Sequence, residues 1–92
     1  MTDKLASYIG LAQRAGAVLY GEDIMVERKR LIKVALIDSA ATEKYRQRLS
    51  RRLDGHEIFE VDELCAALHR EGVNAVGITN DGLANAIISL LR

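Results

Sequence analysis

Ninety-two residues suffice for one small domain, since domains typically hold about 100–200, and a single domain spanning residues 1–92 is expected. With 49% hydrophobic residues, 28% charged residues and no proline, the composition is globular and excludes a disordered chain. Lysine plus arginine equals aspartate plus glutamate at 13 each, which excludes whole-chain attraction to a polyanion. The longest apolar runs, such as Val34–Ile37, fall far short of the roughly 20 residues of a membrane helix, so no membrane association is expected.

The opening residues Met1-Thr2-Asp3-Lys4 lack the apolar core of a secretory signal, and the lone Cys65 suits a reducing cytosol, so a cytoplasmic protein is expected. Thr2–Ala15 reads as a helix, with Leu5, Tyr8, Ile9 and Ala12 on one face and Gly16 as its left-handed cap. Val18–Tyr20 is a short extended piece ending at Gly21. A second helix runs from Glu22 to about Arg30, with Ile24 or Met25 inward and acids in its first turn, where the helix dipole favours them. The unbroken apolar run Val34–Ile37 is a strand covered on both faces.

Ser39 or Thr42 caps a third helix reaching Leu53, in which Tyr45, Leu49 and Leu53 repeat every four residues. Asp54-Gly55 is a turn, and His56–Val61 a strand. Asp62 is the expected N-cap of a fourth helix with Leu64, Cys65 and Leu68 on its apolar side, closed by Gly72. Val73–Ile78 is a further buried strand in which Gly77 marks close approach to a neighbour. Thr79-Asn80-Asp81 caps a last helix built on Leu83, Ala84, Ile87, Ile88 and Leu91. This alternation predicts an α/β fold, a three-layer α/β/α sandwich whose mixed sheet of about four strands carries helices on both faces.

Charge is unevenly distributed along the chain. Residues 28–52 carry nine basic side chains (Arg28, Lys29, Arg30, Lys33, Lys44, Arg46, Arg48, Arg51 and Arg52) against Asp38 and Glu43, a surplus of seven positive charges. Residues 54–81 carry seven acids against Arg70 alone, a surplus of six negative charges. Such a split predicts a two-faced surface, with a nucleic-acid partner or a simple solvated face as its two readings.

Catalytic signatures are sparse. Cys65 and His69 stand at i and i+4, yet zinc sites want three or four ligands, and Cys65 lies on the apolar stripe of its helix, as a core cysteine does. His56 opens a strand as a polar edge residue. The adjacent acids Glu22 and Asp23 are accounted for by the helix dipole. Neither a G-x-S-x-G turn nor a phosphate-binding glycine loop occurs. The expectation is a non-enzymatic protein without cofactor or metal.

The block Gly10-Leu11-Ala12-Gln13-Arg14-Ala15-Gly16, followed by Gly21-Glu22-Asp23, resembles the start of the kink-turn RNA-binding ribosomal protein family, that of archaeal L-seven-Ae and L-thirty-e and of the small bacterial YlxQ-type members. The resemblance continues through Lys33–Asp38 and Val76–Ala84 and covers nearly the whole chain. It implies the same α/β/α sandwich and binding of sharply kinked RNA, ribosomal RNA included, through the loop and helix start after the first strand. A second, more apolar loop before the last strand packs on a flipped-out base. Carried onto this chain, the implied RNA-binding residues are Gly21, Glu22 and Asp23, with Val73 and Asn74 of the second loop. Read from charge, the basic band Arg28–Arg30 with Lys33 and the helix Lys44–Arg52 is a second candidate RNA surface, to which Arg28 and Lys29 belong.

The motif is altered here. Gly21 keeps the family's glycine, whereas Asp23 stands for asparagine, Ile24 for glutamate, and Glu27 and Ala17 for lysines. An ionised aspartate only accepts hydrogen bonds, where asparagine also donates. Phosphate near Glu22, Asp23 and Glu27 meets three negative charges. The alternative is therefore a protein-interaction module on the same fold that has lost kink-turn binding, docking a protein partner through its charged faces.

Overall fold

The computed structural model describes residues 3–92. Its elements follow in the order α1 (Asp3–Arg14), β1 (Val18–Tyr20), α2 (Glu22–Glu27), a 3-10 turn (Lys29–Leu31), β2 (Val34–Asp38), α3 (Glu43–Arg52), β3 (Ile58–Val61), α4 (Leu64–Leu68), β4 (Ala75–Ile78) and α5 (Asp81–Leu91). The four strands form one mixed sheet in the order β1-β4-β2-β3. The pair β2–β3 is parallel, and β4 runs antiparallel to both β1 and β2. The expected α/β sandwich is the fold observed.

The central strands read as continuous apolar runs because both of their faces are covered. Val34, Leu36, Val76 and Ile78 pack with Leu5, Ile9 and Ala12 of α1, Leu64 and Leu68 of α4, and Ala84 and Ile87 of α5. The alternate residues Ala35, Ile37 and Ala75 face Met25, Ile32, Leu49 and Leu53 on the other side. Met25, not Ile24, is the inward residue of α2; Ile24 remains 41% exposed.

Several boundaries differ from the sequence expectation. Thr2 lies outside the described residues. The second helix stops at Glu27 and gives way to a 3-10 turn, so the segment bends and Ile32 is delivered beneath the sheet. Ordered pairing of β3 begins at Ile58 and not His56, and that of β4 at Ala75 and not Val73. Asp62 does not cap α4. Its carboxylate instead accepts a hydrogen bond from Ser39 Oγ at 2.5 Å, and the helix starts from Glu63 in a left-handed conformation. The helix ends early, with His69 in place of Gly72 as its left-handed C-cap. Thr42 and Asn80 do cap α3 and α5, each accepting from a backbone amide three residues on, at 3.1 and 2.9 Å.

Candidate nucleic-acid interface

Because β4 is antiparallel to both of its neighbours, its first residue lies beside the last residues of β1 and β2. The Gly21 amide donates to the Ala75 carbonyl at 3.0 Å, and the Asp38 amide to the Asn74 carbonyl at 2.8 Å. The two loops singled out in the sequence, Gly21–Asp23 and Val73–Asn74, thus meet at one end of the sheet although about fifty residues separate them. Gly21 has φ +88° and ψ 158°, a combination essentially restricted to glycine, and this turns the chain from β1 into α2.

Each loop is braced from behind. The Gln13 amide donates to Tyr20 Oη at 3.1 Å and to the Leu68 carbonyl at 2.8 Å, tying α1 to the last residue of β1 and to the end of α4. The Arg70 guanidinium sits 3.9 Å from the centre of the Tyr20 ring, a cation–π contact at the same corner. The Cys65 thiol donates to the Val73 carbonyl at 3.2 Å. Cys65 is therefore half-buried and turned toward the loop, while His69 beyond it is exposed. Among the described residues, no three His, Cys, Asp or Glu side chains gather as a metal ion would require.

Glu22 is not a bare charge at this surface. Arg48 Nε and Nη2 each donate to one of its carboxylate oxygens at 2.8 Å, and Arg52 Nη1 donates to Oε2 at 2.6 Å. The Glu22 side chain is only 12% exposed, whereas those of Arg48 and Arg52 are 44% and 40% exposed. The hydrogen bond from Arg48 is the largest influence on the Glu22 carboxyl; against the opposing effect of burial, and with Arg52 assisting, it holds the group below the usual carboxylate value. Tyr45 lies alongside, its ring centre 5.3 Å from the Arg48 guanidinium carbon, and burial pushes its phenol upward, with the Glu22 charge adding to the effect. Asp23 is almost fully exposed and makes one longer contact, 3.5 Å from Arg52 Nη1.

Arg28 and Lys29 are not brought to the Gly21 loop. They lie past the far end of α2, roughly 9 Å along a six-residue helix axis. Lys29 is paired there with Asp54, and Arg28 is exposed. Lys33 sits at the opposite end of the sheet, 3.6 Å from Asp81. The predicted two-faced charge split is corrected as well: Lys29–Asp54 and Arg46–Glu60 join the basic segment to the acidic one, so the two interleave. The partnership of Arg48 and Arg52 with Glu22 was not legible in the sequence. Their i, i+4 spacing places them on one face of α3, but only the tertiary fold says that this face meets α2.

No protein-family model matches the chain, and no curated protein does. The chain is similar to a solved structure of a protein of unknown function from Bacillus halodurans, with a TM-score of 0.87 and 21% identity over 98% of each chain. At that identity the likeness is one of fold. Among the described residues, no helix is long and apolar enough to cross a membrane.

Proposed function

We propose that this is a non-enzymatic, cytoplasmic RNA-binding protein that engages structured RNA of the kink-turn or ribosomal kind at the sheet end formed by Gly21–Asp23 and Val73–Asn74. The observation that supports this reading is the backbone link from Gly21 to Ala75, which makes one surface of two loops that the family resemblance names separately. Exposed Arg48 and Arg52 beside it supply positive charge, and Tyr20 with Arg70 supplies a stacked aromatic–guanidinium corner. Unpaired or splayed bases are read by such stacking and by hydrogen bonding to their edges, with phosphate contacts fixing the register.

A titration with a kink-turn RNA and with a straight duplex of equal length, at about 50 and about 200 mM salt, tests the reading. Tight binding selective for the kinked RNA is the expected result. Equal and strongly salt-dependent binding to both moves the contact to the wider basic segment. Absence of binding to either favours the protein-docking alternative, for which the exposed Ile24 and Leu31, 41% and 53% accessible, supply apolar surface.

A further inference from the structure

Glu22, Arg48 and Arg52 form one unit in which two guanidinium groups close on a single carboxylate. Arg48 binds it fork to fork, through Nε and Nη2. That edge of a guanidinium fits two acceptor oxygens on one centre, and a phosphodiester offers the same pair as a carboxylate does. Taken alone the trio carries one net positive charge, which only the exposed Asp23 offsets. Asp23 is the sole other acid paired with either arginine among the described residues, and it is nearly fully exposed at 3.5 Å.

We propose that Arg48 and Arg52 form a clamp for an RNA phosphodiester that Glu22 occupies in the free protein, and that RNA takes the clamp by displacing the Glu22 carboxylate. This rests on the RNA-binding reading above and adds to it the group recognised and a built-in competitor. Three features carry it. The arginines are reachable from solvent while the carboxylate between them is sequestered, so an arriving polyanion meets guanidinium first. Among the described residues, Arg52 commits only Nη1 to side-chain acceptors, which leaves its Nε–Nη2 edge as the landing point. Arg48 lies over the Tyr45 ring, a contact that keeps its plane oriented without using a donor, so the fork stays set when Glu22 leaves.

The exchange has a signed consequence. A carboxylate that must be displaced lowers RNA affinity, so Glu22→Gln, similar in size but uncharged, is expected to bind RNA about tenfold more tightly than the unaltered protein. Its affinity is also expected to fall more steeply with salt, by up to about one unit of log–log slope for each additional phosphate held. Glu22→Gln/Arg48→Ala loses the gain. Thermal melting checks that each variant folds. Should the glutamine variant not fold, Glu22→Asp keeps the charge on a shorter arm and is expected to give a smaller gain in the same direction.

The two RNAs separate this proposal from the reading beneath it. A gain in Glu22→Gln on both kinked and straight RNA, without selectivity in either protein, upholds the clamp and overturns kink-turn recognition. Kink-selective binding by the unaltered protein that is unchanged or weakened in Glu22→Gln overturns the clamp and leaves the reading standing, with Glu22 then serving to position its arginines. Binding of neither RNA by either protein overturns both.

Discussion

At the scale of single residues, two glycines are required for different physical reasons. Gly21 has open space where a side chain would go, so Gly21→Ala meets no atom and its effect is conformational alone. Its φ of +88° with ψ of 158° belongs to a region that residues with a Cβ rarely enter, and the substitution is expected to destabilise the fold by about 1–3 kcal/mol. Gly77 is the reverse case. A Cβ there would lie 2.9 Å from both Cδ1 and Cγ1 of the buried Ile32, so Gly77→Ala overpacks the layer beneath the sheet and costs about 1–3 kcal/mol. Urea unfolding distinguishes the two causes: adding Ile32→Val, which removes the Cδ1 methyl, is expected to recover part of the loss in Gly77→Ala and none in Gly21→Ala. Equal recovery in both would show that packing around Ile32 is not the cause.

At the scale of elements, the caps show what local sequence can specify. Thr42 and Asn80 each accept a hydrogen bond from an otherwise unpaired first-turn amide, and removing either oxygen by alanine substitution is expected to cost about 1 kcal/mol in urea unfolding. A loss under about 0.3 kcal/mol at either position would mean that water replaces the cap without penalty. Both were readable because capping acts within a single turn. The two buried strands were readable for the same kind of reason, their apolar runs needing no knowledge of which helix covers them. The start of α4 departs from the sequence pattern because Asp62 has a long-range alternative: Ser39, 23 residues earlier, donates to its carboxylate, and the helix begins one residue later from left-handed Glu63. The second helix is shorter than the sequence pattern suggests, because that pattern does not register that Ile32 must turn under Gly77. The Gln13 of the family-like block gains a structural account independent of any ligand, since it ties α1 to Tyr20 and to the end of α4.

At the scale of the whole molecule, zero net charge conceals a network that joins distant segments, and this network has a pH signature. The sequence showed the surplus of charge in each half of the chain, but the pairing across the halves depends on tertiary contacts that no local spacing encodes. The candidate site was legible in the same partial way: its two loops follow from the motif, and Arg48 and Arg52 stand out only as part of the basic segment, not as partners of Glu22. The Glu22 carboxyl is held below its ordinary value of 4.5, chiefly by the Arg48 hydrogen bond, and that of Asp54 below 3.8 by Lys29. A carboxyl whose value is lowered by folding contributes stability that is fully present above its unfolded value and is lost as pH falls through its lower folded value. The urea midpoint is therefore expected to hold level from neutrality to about pH 5 and to decline below about pH 4.5, with other carboxylates adding to the same limb. Glu22→Gln, which cannot ionise, is expected to lie below the unaltered protein at neutral pH and to fall less steeply in acid, so that the two curves converge as pH drops. Parallel curves throughout that range would mean that the Glu22 carboxyl takes up its proton at the same pH folded and unfolded, and the pairing of Glu22 with Arg48 and Arg52 would then have no part in the acid response.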